Sequence, residues 1–256
     1  MSRKKSKLKL NSRLIIGWTL FLTFILSVWT SFIWADYISL FKMGEIRITG
    51  ASILEKKAYQ ELLGPLGKAN FNEIKINDVR LLLESNPFVR AARVSRLFPN
   101  TLSIEIAERR PIAILNMDPV LLIDIDAVIM PDKDNYSQSA PLPVLSGFNQ
   151  SKELYPPGLK TYSVKVKEAA IILKYVMEIY PELYKNLSEI SINTKEEYEL
   201  ILANRPTRVK LGKQKIMEKI QILKQFELSL EGVGQLTDYK LVDMRYNRQV
   251  VTREWS

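Results

Sequence analysis

The chain has 256 residues, 46 % hydrophobic and 25 % charged, with 37 Lys and Arg set against 28 Asp and Glu. It holds no Cys and no His, which excludes a disulfide framework, a Cys/His zinc site, a thiol nucleophile and a Ser-His-Asp triad. The balance is that of a folded chain of one or two domains rather than a disordered one.

Six of the nine net positive charges lie in residues 1–13, as Arg3, Lys4, Lys5, Lys7, Lys9 and Arg13. The rest is nearly balanced, so the charge gives no reason to expect a nucleic-acid partner. Directly behind the basic tail, residues 14–34 read LIIGWTLFLTFILSVWTSFIW, 21 residues without a charge. A helix of that length spans about 30 Å, the thickness of a bilayer's hydrocarbon core. Trp18, Trp29 and Trp34 fall towards its ends, where indole rings favour the headgroup level, and the cations ahead of it orient the N-terminus to the cytoplasm. A cleaved secretory signal has a shorter apolar region and a small-x-small site, which residues 31–35 do not offer. Residues 14–35 are therefore predicted as an uncleaved helix that crosses the membrane once, with 1–13 cytoplasmic and the remainder extracytoplasmic.

In the exported part, residues 43–49 (MGEIRIT) alternate apolar and polar as a half-buried strand does. Ser52 is read as the cap of a helix over 53–63, stopped by the GPLG turn at 64–67. Asn77 is read as the cap of a second helix with Val79, Leu82 and Leu83 on its apolar face, ending before Pro87. Residues 88–98 and 101–108 follow as a hairpin about Pro99 and Asn100, with Leu102, Ile104 and Ile106 facing one way. Strand, helix, helix, strand, strand makes a small α+β unit over 42–110.

Residues 111–256 predict a second, β-rich domain with two helices. Short apolar runs at 111–117, 120–123 and 127–130 form a meander, 131–140 a polar loop, and Pro141 to Pro143 restarts an extended chain. A helix spans 164–180, with Ala169, Ile172, Leu173, Val176 and Ile179 on one side and Pro181 ending it. Strands are expected at 188–193, 198–203 and 207–211, then a helix over 213–228 with Ile216, Ile220 and Leu223 inward. Strands at 240–244 and 249–253, joined by Tyr246, Asn247 and Arg248, close the chain.

Few residues suggest chemistry. Asp124 and Asp126 are too few donors for a calcium loop and read as turn aspartates. Gly232 and Gly234 lack the strand-loop-helix setting of a phosphate loop and read as a helix stop. Glu105 and Glu108 flank a strand, not a visible cleft. The basic residues Arg205, Arg208, Lys210, Lys213 and Lys215 lack interleaved aromatics and read as a solvated strand edge, with a partner contact as the alternative. No catalytic residue, metal site, cofactor or small-molecule substrate is expected.

One long motif carries a resemblance. Asn86-Pro87-Phe88-Val89-Arg90-Ala91-Ala92-Arg93-Val94-Ser95-Arg96-Leu97-Phe98-Pro99-Asn100-Thr101-Leu102 is similar to the P-[WF]-V-x-x-A-x-V-x-R-x-[FW]-P-x-x-L of the FtsQ/DivIB cell-division proteins, and the unit over 42–110 resembles their POTRA domain. Leu142-Pro143-Val144-Leu145-Ser146-Gly147, Val209-Lys210-Leu211-Gly212 and Val242-Asp243-Met244-Arg245-Tyr246 resemble later motifs of the same family, in order. The family usually has glycine where Asp126 stands, and aspartate is expected to take the left-handed turn geometry there.

The resemblance implies a division-site scaffold in the inner or sole cell membrane, not an enzyme, that binds FtsB- and FtsL-like proteins and helps control septal peptidoglycan synthesis. It implies that the partner's chain adds a strand at the C-terminal sheet edge. The matched partner-binding residues are Arg245, Tyr246, Asn247, Gln249, Val250, Val251 and Trp255. Val94 and Arg96 match the strand used for recruitment. The alternatives are a membrane-anchored extracytoplasmic cell-wall enzyme, which needs a groove with convergent carboxylates, and a POTRA module of outer-membrane assembly or secretion.

Overall fold

The computed structural model describes residues 12–37, 44–64, 71, 73–246 and 249–255. Most of the cationic tail, the latter part of the GPLG turn and Asn247 lie outside the described residues. By internal contacts the chain divides into two compact units, Met1–Leu83 with Ala92–Ile106, and Glu84–Ala91 with Ala107–Ser256. The fold is α+β.

The first unit opens with α1 (Ser12–Tyr37), whose stretch Ile15–Trp34 has a mean hydropathy of 1.8 and buries none of its side chains in protein. By length and composition it is able to cross a membrane. Its hydroxyls suit that solvent: those of Thr19, Thr23, Ser27 and Thr30 each donate to a carbonyl three or four residues back at 2.9 Å. No lone hydroxyl is then presented to hydrocarbon at these positions.

Next come β1 (Ile46–Thr49), α2 (Lys56–Leu63), α3 (Ile76–Glu84), β2 (Val89–Leu97) and β3 (Thr101–Glu108), with the strands ordered β1-β3-β2. β1 runs parallel to β3, Ile46 opposite Leu102 and Ile48 opposite Ile104. The expected alternation holds, for Leu102, Ile104 and Ile106 are buried, as are Ile48, Tyr59, Leu63, Val79 and Leu83. Two cap assignments need correction. α2 begins at Lys56, not beside Ser52, because Leu54 turns inward and takes 52–54 out of the helical path. Asn77 lies inside α3, where its Oδ1 accepts from Arg80 Nε and Nη2 at 3.2 and 2.9 Å instead of capping backbone. Leu82 is 38 % exposed, since the buried pair is Val79 and Leu83, one turn apart.

The second unit contains β4 (Pro111–Leu115), β5 (Leu121–Asp124), β6 (Ile129–Pro131), α4 (Tyr136–Ser139), β7 (Val144–Ser146), α5 (Val164–Ile179), α6 (Pro181–Lys185), β8 (Leu187–Ile192), β9 (Tyr198–Leu202), β10 (Arg208–Gly212), α7 (Ile216–Ser229), β11 (Tyr239–Asp243) and β12 (Val251–Glu254). The strands form one sheet ordered β12-β11-β10-β9-β8-β7-β4-β5-β6. β7 pairs parallel with β8, and β10 with β11, so α5 and α7 lie in crossover connections. Ala169, Ile172, Leu173 and Val176 of α5 and Ile220 and Leu223 of α7 share a core with Leu145, Ile190, Leu200, Val209, Leu211 and Val242 of the sheet.

Four expectations change here. The polar loop at 131–140 contains a 3-10 turn and α4, held by Asp132, which accepts from Ser137 N at 2.9 Å. Pro181 does not merely end α5; it opens α6, where its missing N–H costs no helical bond. The basic segment at 205–215 is no sheet edge, because the parallel crossover through α7 lays β11 along β10, leaving β10 between β9 and β11. Arg208 there pairs with Glu199 of β9 at 3.0 Å.

The fourth concerns the β5–β6 turn. Asp124 is structural: it accepts from Arg109 Nη1 at 2.8 Å, Asp126 N at 2.9 Å and Val128 N at 2.8 Å. The left-handed residue is Ala127, at φ 61°, and not Asp126. Asp126, whose N–H is spent on Asp124, instead sends its carboxylate to Arg90, 3.0 Å away.

Candidate functional site

The two margins of the nine-stranded sheet differ. β6 is three residues long with Ile129 and Met130 buried, and its outer side is occupied by the chain itself. Ile129 N donates to Leu159 O at 3.0 Å, Gly158 N to Ile129 O at 2.8 Å and Thr161 N to Ala127 O at 2.9 Å. At the opposite margin all four residues of β12 are exposed. β12 pairs antiparallel with β11, Val251 opposite Asp243 and Thr252 opposite Val242, with a register shift between Tyr239 and Leu241. Among the described residues no strand covers its outer side. Such a margin is a template for another strand.

The approach to β12 is organised by Arg245. Asp243 and Arg245 are two apart, the spacing at which extended residues share a face. Arg245 Nη2 and Nε donate to the Asp243 carboxylate at 2.7 and 2.9 Å, the Arg245 backbone N–H adds a third bond at 3.1 Å, and Nη1 stands 3.4 Å from Glu197. The Arg245 hydrogen bond holds the Asp243 carboxyl below its usual range against the opposing effect of burial. Beneath it, Lys219 of α7 donates to Leu211 O at 2.6 Å, and burial pulls its ammonium down. Gly212, at φ +77°, lets the chain turn beside Arg245; a Cβ there would stand 3.2 Å from Arg245 Cγ.

Tyr246 is 55 % exposed and lines, with Lys215, Ile222, Met244, Gln249 and Val250, a groove of about 400 Å³ between α7 and the segment entering β12. Gln249 is exposed, while Val250 is half-buried against the core. Trp255, expected as a partner contact, sits against its own unit: Nε1 donates to Thr237 O at 3.1 Å and the Arg205 guanidinium lies 4.8 Å from its ring. Thus Arg245, Tyr246, Gln249, Val250 and Val251 come together at one end of the sheet, and Trp255 closes the far end of β12.

Val94 and Arg96 lie on β2, the margin of the three-stranded sheet, in the first unit. Val94 is half-buried, and Arg96 donates to Ile74 O with its guanidinium 5.7 Å from the Phe71 ring. Sequence reasoning assigned no role to Asp243 or Glu197 and placed Arg205 only in a basic strand edge. Only Asp243 carried a usable signal, its two-residue spacing from Arg245. No group of three or more His, Cys, Asp or Glu fit for a metal occurs among the described residues.

Residues 110–253 match the family model FtsQ/DivIB, C-terminal related, and residues 41–109 match the POTRA domain, FtsQ-type. The chain is 24 % identical over 215 residues to the cell division protein FtsQ of Geotalea daltonii, covering 84 % of this chain and 76 % of that one. It is 26 % identical over 203 residues to FtsQ of Methylomonas methanica, covering 78 % and 74 %, and 23 % identical over 213 residues to FtsQ of Koribacter versatilis, covering 80 % and 58 %.

Proposed function

The chain belongs to the FtsQ/DivIB family of cell-division proteins, and we propose that it acts there by binding, as a single-pass scaffold whose β12 margin accepts a strand from an FtsB- or FtsL-like partner. In this reading α1 is embedded in the cell membrane at the division site, residues 1–13 are cytoplasmic and both compact units are extracytoplasmic. The protein carries out no catalysis itself and helps control septal peptidoglycan synthesis through its partners.

The observation that carries the reading is the asymmetry of the sheet, one margin closed by residues 157–161 and the other exposed along all of β12. Strand addition lets backbone N–H and C=O groups supply affinity while side-chain pockets choose the partner. Tyr246 and the groove beside it supply such a pocket: tyrosine brings a large apolar surface with a polar tip. Asp243 and Arg245 keep the segment in place, and Trp255 and Arg205 pin the other end of β12.

A photo-crosslinking residue at Val251 in dividing cells tests this. The expected result is a covalent adduct with another single-pass division protein, lost when Tyr246→Glu is added. A chain that reaches the division site but yields no adduct from position 251 contradicts the docking margin.

A further inference from the structure

We propose that the turn joining β2 and β3 docks on the outer surface of the membrane, with Leu97 and Phe98 inserted at the headgroup level. The inference goes beyond partner binding and rests on one part of the proposed function, the embedding of α1 in the bilayer.

Phe98 is 88 % exposed and its neighbour Leu97 43 % exposed, at the very tip of a hairpin. A single exposed apolar residue is ordinary. Here the chain connectivity gives it a place. Because β1 runs parallel to β3, the start of β1 lies at the turn end of the hairpin. Gly44 N donates to Asn100 O at 3.0 Å, and Leu102 N to Glu45 O at 2.9 Å. Gly44 is thus fastened to the tip itself, and Gly44 comes only seven residues after Tyr37, the last residue of α1. Seven residues span at most about 25 Å when fully extended. The tip is held within that distance of the end of α1, three residues beyond the apolar stretch that closes at Trp34.

The connecting sequence is itself apolar. Ile38, Leu40, Phe41 and Met43 are four large apolar residues among the six between Tyr37 and Gly44. A segment of that character favours the interface over open water. Phe and Leu beside it can then enter the boundary between headgroups and acyl chains, where aromatic rings are favoured. Two inserted side chains bind a membrane weakly by themselves. The covalent tether supplies a high effective concentration, so weak insertion suffices to fix the orientation of the unit.

The chain lacks cysteine, so one introduced thiol carries a unique nitroxide. The test uses the full chain in nanodiscs labelled in turn at Phe98→Cys, at Ser27→Cys within α1 and at the 89 % exposed Val233→Cys. Accessibility to lipid-soluble oxygen and to an aqueous nickel chelate gives the depth of each label. Position 98 is expected about 5–10 Å below the headgroup boundary, with a severalfold loss of nickel accessibility relative to 233. Adding Leu97→Asp should return it towards water. If 27 reads as lipid while 98 reads like 233, docking is wrong and the anchor stands. If 98 is shielded from both probes, protein covers the tip, and the proposal is likewise overturned. If 27 itself reads as water, the anchor fails and takes the docking with it.

Discussion

Arg245 grips Asp243 with both arms of its guanidinium, Nη2 at 2.7 Å from Oδ2 and Nε at 2.9 Å from Oδ1. The acid is almost buried and the base one-third exposed, so the pair sits where the sheet's interior gives way to its open margin. It fixes the direction in which the chain leaves β11, and with it the placement of Tyr246.

That pair predicts an acid-sensitive component of stability. The Asp243 carboxyl is depressed chiefly by the Arg245 hydrogen bond, so its contribution is fully present above its unfolded value of about 4 and is lost as pH falls through the lower folded value. Thermal melts of the detergent-solubilised chain from pH 7 to pH 3 should therefore steepen below pH 4 in the wild type and less so in Arg245→Met. Equal slopes in the two proteins would remove the linkage.

Tyr246→Glu should abolish capture of the partner while changing stability by no more than about 0.5 kcal/mol, the usual limit for a surface substitution. The Tyr246 side chain is half out of the protein, so folding does not depend on it. Co-purification from solubilised membranes, paired with a melt of the same sample, reads both. Retained capture by a folded variant argues against Tyr246 as a contact.

Trp255 should behave differently. Its removal takes away the bond to Thr237 and the ring beneath Arg205. A cation–π contact of this kind contributes about 0.5–1 kcal/mol at an exposed site. Trp255→Ala is expected to speed hydrogen exchange of the β12 amides and to weaken partner capture only partially. Unchanged exchange with full loss of capture makes Trp255 a direct contact instead.

Arg109 and Asp124 form a pair in which the acid is buried and the base largely covered, their side chains 3 % and 15 % exposed. Breaking it from the basic side with Arg109→Met should cost about 3–5 kcal/mol, the range for an orphaned buried charge. Asp124→Leu should cost more, because the N–H groups of Asp126 and Val128 also lose their acceptor, at about 1–3 kcal/mol each. Denaturant unfolding of the two variants orders them.

Gly147→Ala should destabilise by about 1–3 kcal/mol, the cost of a left-handed or clashing backbone. At φ +77° a Cβ on Gly147 would come within 2.2 Å of Ile192 O, which is main chain and has nowhere to retreat. A melting temperature equal to wild type would show that β7 and β8 can part without cost.

Much of the fold was legible because local pattern governed it. The alternation of Leu102, Ile104 and Ile106, the Pro99–Asn100 turn and the apolar stripe of α5 each appear where periodicity puts them. Helix starts were less legible. The burial of Leu54 ahead of α2 is a tertiary contact that no cap residue announces, and at α3 Asn77 engages Arg80 within the helix rather than standing in front of it. Sheet order was hidden for the same reason: β10 carries charges suited to an edge, yet the α7 crossover places β11 beside it. At the β5–β6 turn, Asp124 collects three donors and transfers the left-handed geometry to Ala127, an exchange visible only once the turn is closed. The candidate site was legible as a motif through Arg245 and Tyr246. Its supports, Glu197, Lys219 and Arg205, come from distant segments and carried no local signal.

The sealing of β6 by residues 157–161 has a consequence for assembly. A sheet able to grow at both ends can link chain to chain and propagate into a filament. Among the described residues this nine-stranded sheet has one open margin, so a strand taken up at β12 would find no second acceptor on the far side. In that respect the unit is monovalent, a terminator of sheet growth rather than a link in it.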